Sequence, residues 1–285
     1  YHPAKIRGGL YRPFCHQFLF FDTILTHRQG HFSIIFPKPD SENLVICLTD
    51  KGAERPFMVM MSDRIGDLHL VGAGCGTQCF PFYVYDEDGS NRRENISDWA
   101  LEQFQAQYGA AEISKWDIFY YVYALLHQPA YRQKYAANLK RDLPHISFVK
   151  GVDTFWHYVA AGQRLAELHI HYEEQPEYPL EIVENPAAPL DWRVEKMRLS
   201  KDKAEIQYNG FLTLRGIPAA AFEYRLGNRS ALDWVIDQYR VTTDPRSKIV
   251  NDPNNPDDPQ YILRLIKKVL TVSLETVNIV KQLTA

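Results

Sequence analysis

The chain has 285 residues, of which 45% are hydrophobic and 13% aromatic, and a net charge of −3. A chain of this length and composition can bury a large core, as one large domain or two small ones. Its near-neutral charge excludes a polybasic nucleic-acid binder, so any contact with nucleic acid has to come from local basic patches.

Targeting and membrane signals are missing from the sequence. No uninterrupted apolar run reaches the roughly 18 residues that a membrane span needs, and the N terminus has no signal-peptide pattern. The sequence pattern is already under way at Tyr1, so we expect a fragment of a longer polypeptide. Four cysteines do not make a disulfide framework in a chain of this length. We therefore expect a cytoplasmic location and no membrane contact.

Residues 1–95 predict a β-rich lobe. Short apolar runs alternate there with turn-rich pieces, which is typical of antiparallel strands. The runs are HFSIIF (31–36), NLVICLT (43–49), PFMVMMS (56–62) and CFPFYVY (79–85). The glycines of VGAGCG (71–76) are interpreted as a loop between strands, because no amphipathic helix follows them to bind a phosphate.

Residues 96–285 predict a helical lobe that contains a β-hairpin. A first helix is capped by Ser97 or Asp98, and its apolar residues are Trp99, Leu101, Phe104 and Tyr108. A second helix spans roughly 116–126. A fourth begins near Asp153, and its inward positions are Phe155, Val159, Gly162, Ala166 and Leu168. The acidic, Pro-rich stretch 173–189 is expected to be a surface connector.

The third predicted helix, 129–146, begins at Pro129 and has two distinct faces. Three residues recur at helical spacing and are expected to be buried: Tyr131, Tyr135 and Leu139. Four basic residues lie off this stripe: Arg132, Lys134, Lys140 and Arg141. A solvated basic face is the ordinary interpretation, and contact with phosphates is the alternative.

The last hundred residues mix strand and helix signals. Ala204, Ile206 and Tyr208 alternate ahead of Asn209-Gly210, which predicts a hairpin with a type I′ turn. Ser230 with Asp233 predicts a capping box. Asp258-Pro259 opens a long C-terminal helix whose apolar stripe is Ile262, Leu265, Ile266, Val269, Val272, Ser273, Thr276, Val277 and Val280. The sequence predicts an α+β fold in which the two lobes form one composite domain.

The usual catalytic motifs are absent. The sequence has no Gly-Lys pair for a P-loop, no acid-x-Lys nuclease signature, no Asn-Pro-Pro-aromatic or Asp-Pro-Pro-aromatic motif and no Gly-x-Ser-x-Gly. Buried free thiols are favoured over a zinc site for the cysteines: Cys15, Cys47, Cys75 and Cys79. An ordinary helix end is favoured over a metal site for the histidines: His157, His169 and His171.

Several phrases, in order, resemble one family. They are YRPF (11–14), FPFYVYD (80–86), IFYYVYALLHQPAYRQKYAANLKRDLPHI (118–146), FWHYVAAGQRLAELHIHYE (155–173), KMRLSKDKAEIQYNGFLTLRGIP (196–218), SALDWVIDQYRVTTDPRSKIVNDPNN (230–255) and YILRLIKKVLTVSLETVNIVKQL (261–283). Over nearly the whole chain the sequence resembles the C-terminal specificity domain of Type ISP restriction–modification enzymes. It departs from relatives at Cys15, where YRPF is often followed by Asp.

The resemblance implies that the domain recognises a double-stranded DNA target and has no catalytic activity of its own. Adenine methyltransferase, helicase-like ATPase and nuclease activities would then belong to neighbouring domains of the same polypeptide. The cofactors S-adenosylmethionine, ATP and Mg²⁺ are expected only in those domains, and none is expected in this chain. The alternative is a protein-docking or scaffold domain of a DNA-processing enzyme.

The loop TTDPRSKIVNDPNN (242–255) is the first candidate for contact with DNA. Arg pairs with guanine and Asn with adenine in the major groove, and the loop holds Arg246, Lys248, Asn251, Asn254 and Asn255. Asn, Asp and Pro also build ordinary turns, so a purely structural loop stays open. Phosphate contacts are expected from Lys196, Arg198, Lys201 and Lys203, and as a further possibility from the basic face of 129–146.

Overall fold

A computed structural model describes residues 2–26 and 29–283. The described chain mixes helices with several small sheets, which confirms the α+β fold. It divides into two compact units: unit 1 is Tyr1–Arg12, His16–Ile170 and Asn278–Ala285, within the described ranges, and unit 2 is Pro13–Cys15 and His171–Val277. The division predicted at residue 95 falls inside unit 1, because helices after this position share a core with strands before it.

The strands of unit 1 form small sheets. Their bounds are β1 (Ile6–Arg12), β2 (Cys15–Phe20), β3 (Val45–Thr49), β4 (Val59–Ser62), β5 (Ile65–Gly66), β6 (Thr77–Pro81), β7 (Tyr83–Val84) and β8 (Arg93–Glu94). One sheet has the order β2-β1-β5, with β1 and β5 parallel, and a second has the antiparallel order β4-β3-β6. The strands β7 and β8 form a separate antiparallel pair.

Three of the four predicted strand runs form strands, and the fourth prediction is wrong. HFSIIF forms a short helix, α1 (Phe32–Ile35), in which the Phe36 amide donates to the Phe32 carbonyl at 2.9 Å. The Asn43 side chain donates to the Ile35 carbonyl at 3.0 Å, so this carbonyl at the C-terminal end of α1 has a hydrogen-bond partner. A short apolar run cannot be assigned to strand or helix by periodicity alone. The VGAGCG segment is a loop before β6, as predicted.

The predicted helices of unit 1 are present, with one correction to their length. Their bounds are α2 (Asp98–Tyr108), α3 (Lys115–His127), α4 (Pro129–Lys134) and α5 (Val152–Ile170). Ser97 caps α2, and Ser114 forms a capping box with Asp117 at the start of α3. On α2 the apolar Trp99 is 69% exposed, whereas Phe104 is buried.

The helix predicted for 129–146 ends at Lys134. Tyr131 and Leu139 are buried as predicted, but Tyr135 is only half-buried and Arg132 is less exposed than expected. After Lys134 the chain forms turns, and from Pro144 it runs back across the core without regular structure. The hydroxyl of Tyr131 holds this return by donating to the His145 carbonyl at 2.8 Å. The predicted helix is therefore limited to Pro129–Lys134, and a tertiary hydrogen bond holds the chain after Pro144.

Tyrosine hydroxyls fix the irregular segment 145–149 along its length. Tyr121 donates to the Ser147 carbonyl at 2.6 Å, and its oxygen accepts from the Val149 amide at 3.0 Å. Tyr108 donates to the Val149 carbonyl at 3.1 Å. These bonds supply the main-chain partners that a segment outside helix and sheet otherwise lacks.

The core of unit 1 depends on a close crossing of α3 and α5. The ideal Cβ position of Gly162 lies 2.0 Å from the Tyr120 carbonyl oxygen, so only glycine fits there. The crossing brings helix residues such as Tyr121, Tyr158 and Leu165 into one cluster with Ile46 and Met61 of the sheet. Burial of these side chains provides the main stabilisation of unit 1.

Unit 2 is built on a four-stranded antiparallel sheet in the order β10-β11-β12-β9. The bounds are β9 (Glu181–Glu184), β10 (Arg198–Leu199), β11 (Glu205–Gln207) and β12 (Leu212–Arg215). Strand β9 lies within 173–189, so the interpretation of that stretch as a connector alone is wrong. The acidic residues of this strand, Glu181 and Glu184, are exposed, and its main chain pairs with β12. The acidic composition of the stretch did not indicate this pairing.

The predicted hairpin is present, but its turn is not type I′. Neither Asn209 nor Gly210 has a positive φ, which a type I′ turn requires. Instead the Asn209 side chain accepts from the Phe211 and Leu212 amides at 2.9 and 2.7 Å. It also donates to the carbonyls of Asp191 and Arg193. Asn209 is therefore a structural anchor, and its side chain shapes the turn.

Two helices complete unit 2 together with two short ribbons. The helices are α6 (Ala231–Gln238) and α7 (Tyr261–Gln282), of which the part up to Val277 belongs to unit 2. The ribbons pair β13 (Arg225–Leu226) with β14 (Arg229–Ser230) and β15 (Thr242–Thr243) with β16 (Val250–Asn251). The predicted capping box between Ser230 and Asp233 is present. The predicted stripe of α7 is buried, except for Val280, which is partly exposed.

Phe14 of the YRPF phrase belongs to the core of unit 2. Its side chain is fully buried and packs edge-on against Tyr172, with ring centres 5.1 Å apart. Its carbonyl accepts from the Tyr239 hydroxyl at 3.2 Å. A positive φ of 58° at a phenylalanine is strained, so packing has to hold this conformation.

We predict that Gly162→Ala destabilises the protein. Helix propensity alone would give a gain of about 1 kcal/mol, but the added methyl group overlaps the Tyr120 carbonyl and should lower the free energy of unfolding by about 1–3 kcal/mol. Urea denaturation measures the difference. Gly210→Ala is the control, because nothing lies within 4 Å of its Cβ position. An unchanged or higher stability of Gly162→Ala would contradict the close crossing.

We predict that stability falls below about pH 6.5 because of two buried histidines. Burial lowers the pKa of His169 to about 3, and burial together with nearby Arg132 lowers the pKa of His127 well below its ordinary value. The unfolded chain then binds protons that the folded chain does not, so each histidine should remove about 1.4 kcal/mol per pH unit as the pH falls.

Urea denaturation between about pH 7.5 and pH 5 measures this slope. His127→Gln should make the slope shallower, because it removes one of the two groups that bind a proton in the unfolded chain and not in the folded chain. The substitution breaks no hydrogen bond at Nε2, because this atom of His127 is buried without a partner among the described residues. His157→Gln is the matched control substitution, because His157 is exposed on α5. Equal slopes in the wild type and His127→Gln would contradict this account.

Candidate nucleic-acid interface

The ribbon of β15 and β16, with its connecting turn, forms an exposed hairpin over residues 242–251. Asp244 shapes the turn: its carboxylate accepts from the Arg246 and Ser247 amides at 2.9 and 2.7 Å. The Asp244 carbonyl accepts from the Lys248 amide at 2.9 Å, where Lys248 has a φ of 62°. The bonds from Ser247 and Arg246 lower the pKa of Asp244, so its carboxylate stays ionised.

The base of the hairpin is anchored to residues 193–195. The Asn254 side chain makes two hydrogen bonds with the main chain of Val194, each 2.8 Å long. Arg193 pairs with Asp252 at 2.8 Å, and the Val241 amide donates to the Glu195 carbonyl at 3.0 Å. These contacts pin both strands where they leave the body of unit 2.

The predicted site residues of this loop separate into two groups. Asn254 uses its amide for internal bonds, and the Asn255 side chain accepts from the Asp257 amide at 3.0 Å. By contrast, the side chains of Arg246, Lys248 and Asn251 are exposed and make no hydrogen bond or ion pair within the described residues. Asn254 and Asn255 therefore hold the main chain in place, and the side chains of Arg246, Lys248 and Asn251 remain available.

Two apolar side chains of the hairpin are also exposed, which the sequence analysis missed. Ile249 is 69% exposed and Val250 is 57% exposed. An Ile-Val pair inside a stretch of turn-forming residues is the sequence signal that indicates them. Both side chains are therefore available for contact with another molecule.

The residues predicted to contact phosphates lie in and beside β10, an edge strand of the four-stranded sheet of unit 2. Arg198 is in the edge strand β10, Lys196 precedes it, and Lys201 and Lys203 follow in the turn to β11. Asp202 shapes this turn by accepting from Ser200 and from the Ala204 amide, bonds that lower the pKa of Asp202. The Lys203 ammonium lies 4.7 Å from the ring centre of Phe222.

The cations of unit 2 differ in whether they pair with a carboxylate. Six cations pair with an Asp or Glu within 4 Å: Arg193, Arg215, Arg229, Arg240, Arg264 and Lys267. Eight have no carboxylate partner within the described residues. Six of these are the predicted candidates Lys196, Arg198, Lys201, Lys203, Arg246 and Lys248, and the other two, Arg225 and Lys268, donate to the main-chain carbonyls of Asn228 and Glu173. An unpaired cation keeps its charge available for an anion such as a phosphate.

The basic residues of 129–146 lie in unit 1 and differ in exposure. Arg132 is held by the protein, since its Nε atom donates to the Leu126 carbonyl at 2.6 Å and its guanidinium lies over Phe57. The Lys134 ammonium lies 5.1 Å from the ring centre of Tyr135. Lys140 and Arg141 are exposed in the turns that follow α4. The predicted basic residues therefore do not form one face of a helix. Lys140 and Arg141 lie in turns, and Arg132 is partly buried by its contacts with Leu126 and Phe57.

No metal centre is found in the described part of the chain, where no group of three or more His, Cys, Asp or Glu side chains converges. Cys47 and Cys79 face each other across β3 and β6 with their sulfurs 3.6 Å apart, and both are free thiols. The hydrogen bond with Cys79 and burial raise the pKa of the Cys47 thiol. None of the described helices is long and apolar enough to cross a membrane.

Comparison with known proteins identifies the family. The Type ISP C-terminal specificity domain matches residues 1–265. A nuclease-deletion mutant of the Type ISP restriction-modification enzyme LlaGI, in complex with a DNA substrate mimic, is 35% identical with a TM-score of 0.85, and the match covers 100% of this chain and 25% of that one. No functionally curated protein shows significant similarity.

Two further solved structures agree with this assignment. The DrdV–DNA complex is 39% identical with a TM-score of 0.87, covering 99% of this chain and 28% of that one. The ATP-dependent Type ISP restriction-modification enzyme LlaBIII, bound to DNA, is 32% identical with a TM-score of 0.88, covering 100% and 19%. The chain thus spans about a fifth to just over a quarter of the length of these proteins. It belongs to the Type ISP C-terminal specificity domain family.

Proposed function

We propose that this domain recognises a double-stranded DNA target, by sequence, for a single-polypeptide restriction–modification enzyme. The observation that carries the proposal is the anchored hairpin 242–251, which presents unpaired Arg246 and Lys248 on a fixed turn. A two-stranded ribbon fits the major groove of B-form DNA, where base edges carry a distinct pattern of donors and acceptors. The DNA-bound state of the three solved relatives supports the proposal.

Recognition divides between two kinds of contact. Lys196, Arg198 and the turn lysines Lys201 and Lys203 bind phosphates, which positions the duplex without reading its sequence. Arg246 and Asn251 face base edges, because Arg matches guanine and Asn matches adenine. Lys140 and Arg141 of unit 1 are further candidates for phosphate contact. The net charge of −3 leaves these local patches as the source of attraction.

A docking or scaffold function is the second candidate, and an apolar surface of unit 1 favours it. Phe18, Ile24, Leu25 and Leu68 are each more than 60% exposed. Phe18 and Leu68 border a largely apolar groove beside β1 and β5. Exposed apolar side chains beside a groove of this kind are typical of a protein contact. The two functions are compatible in one domain, and they differ in their response to salt, since phosphate contacts release counterions.

The chemistry of restriction and modification is proposed to lie in neighbouring domains, with S-adenosylmethionine, ATP and Mg²⁺ bound there. We predict that this chain alone neither methylates nor cleaves DNA and does not hydrolyse ATP, because its sequence lacks the motifs that place the reacting groups. Radiolabelled methyl transfer, ATPase and nicking assays on the purified chain test this. Turnover that persists through purification to homogeneity would contradict it.

The function is tested by Arg246→Ala in the complete polypeptide. Binding is measured to the target, defined by the adenines that the enzyme methylates, and to single-base variants of it. We expect a loss of about 1–3 kcal/mol on the target and relaxed specificity at one position. Wild-type affinity should fall steeply with salt. Arg215→Ala is the control, since Arg215 is exposed but paired with Glu205 at 2.9 Å.

Other outcomes would change the assignment. An equal loss on all sequences would make Arg246 a phosphate contact. A lowered melting temperature with unchanged binding would make the hairpin structural. Binding of wild-type protein that neither depends on salt nor distinguishes the target from other duplexes would contradict DNA recognition and favour the docking function.

A further inference from the structure

The hairpin 242–251 has two faces that the pairing of β15 with β16 defines. Thr242 pairs with Asn251, and Thr243 pairs with Val250. Side chains alternate along a strand, so Asn251 and Thr242 are on one face and Val250 and Thr243 on the opposite face. Ile249 precedes β16, and the hydrogen bond from the Asp244 amide to its carbonyl continues the pairing by one residue, which places Ile249 on the face of Asn251. One face therefore combines an apolar group with an amide, and the other carries a valine and a threonine.

The face with Ile249 and Asn251 matches the chemistry of an A·T-containing major groove. Thymine presents a methyl group there, and apolar side chains contact it; adenine presents a donor and an acceptor that suit an asparagine amide. Residues two apart on a strand are separated by about 6.8 Å, and stacked base pairs are about 3.4 Å apart. A ribbon lying along the groove thus places Ile249 and Asn251 two base-pair steps from each other.

The protein fold does not explain the exposure of Ile249. Its side chain is 69% exposed, and its main chain alone closes the turn, where the Ile249 carbonyl accepts from the Asp244 amide at 3.0 Å. The hydrogen bonds of Asp244 and the anchors at Asn254 and Asp252 hold the hairpin without any contribution from the Ile249 side chain. The neighbouring cations Arg246 and Lys248 favour a polyanionic partner over an apolar protein surface.

We propose that Ile249 is a specificity residue that reads the C5-methyl group of a thymine in the major groove of the target. The inference rests on the proposed function and adds to it the chemical group that is recognised. An isoleucine excludes water from the methyl group, while a cytosine at the same position presents no methyl group and an exposed amino group. Asn251, on the same face, is placed to contact a base two steps away.

The test is a thymine-to-uracil scan with the complete polypeptide. Each thymine of the target is replaced singly by uracil, which removes only the methyl group and keeps base pairing. For wild-type protein, one position should lower the affinity about fourfold, the value for one buried methyl-sized group. In Ile249→Ala, uracil at that position should have no further effect. In Val250→Ala, the sensitivity should be retained, because Val250 is 57% exposed on the opposite face.

Both variants change exposed side chains, so their melting temperatures should equal that of the wild type, and this is checked first. A flat scan with the wild-type protein, or a sensitivity that persists in Ile249→Ala, would overturn the inference while sequence-specific binding still supports the proposed function. Equal binding of the wild-type protein to the target and to unrelated duplexes would overturn the proposed function itself. Fluorescence of 2-aminopurine placed beside the sensitive thymine should not rise, since a rise would indicate that Ile249 separates stacked bases instead.

Discussion

The candidate interface depends on the pair of hydrogen bonds between the Asn254 side chain and the main chain of Val194. A two-stranded ribbon as short as β15–β16 is marginally stable in isolation, so its geometry has to be fixed from outside. Asn254 does this at one strand exit, and the ion pair between Arg193 and Asp252 reinforces it. Because the turn is closed by Asp244, the main chain from which the exposed side chains project has a defined geometry. A preorganised element loses less entropy on binding and discriminates better between similar partners.

In unit 1, too, hydrogen bonds from neighbouring elements fix a segment that has no regular structure of its own. The close approach of α5 to α3 at Gly162 fixes the helical core, and from this core three tyrosine hydroxyls reach the main chain of the segment 145–149. Burial raises the pKa of Tyr131 to about 12, so this hydroxyl stays protonated and keeps its role as a donor at neutral pH. The segment carries no regular structure, yet the tyrosine hydroxyls bind the carbonyls of His145 and Ser147 and both main-chain groups of Val149.

The sequence allowed prediction of the elements whose signals are local. Apolar periodicity and capping residues predicted α2, α3, α5, α6 and α7, since the Ser97 cap, the Ser230–Asp233 capping box and the apolar stripes act within a few residues. Predictions failed where distant contacts decide the structure. The helix predicted for 129–146 ends at Lys134, and the segment that follows is held by the bond from Tyr131 to the His145 carbonyl. Asn209 replaces the expected turn by reaching Asp191 and Arg193. At the site, residue type identified Arg246 and Lys248, but only the pairing register separates Ile249 from Val250 and shows that Asn254 anchors the hairpin.

The central claim is that the hairpin 242–251 lies against the bases of a DNA target. The most direct measurement is photo-crosslinking from a benzophenone side chain introduced at Lys248, which is exposed at the turn, in the complete polypeptide bound to its target duplex. The account predicts cross-links to DNA that map to positions within the recognised sequence and that unlabelled target removes. Cross-links that form only with other protein segments, whether or not DNA is present, would contradict it.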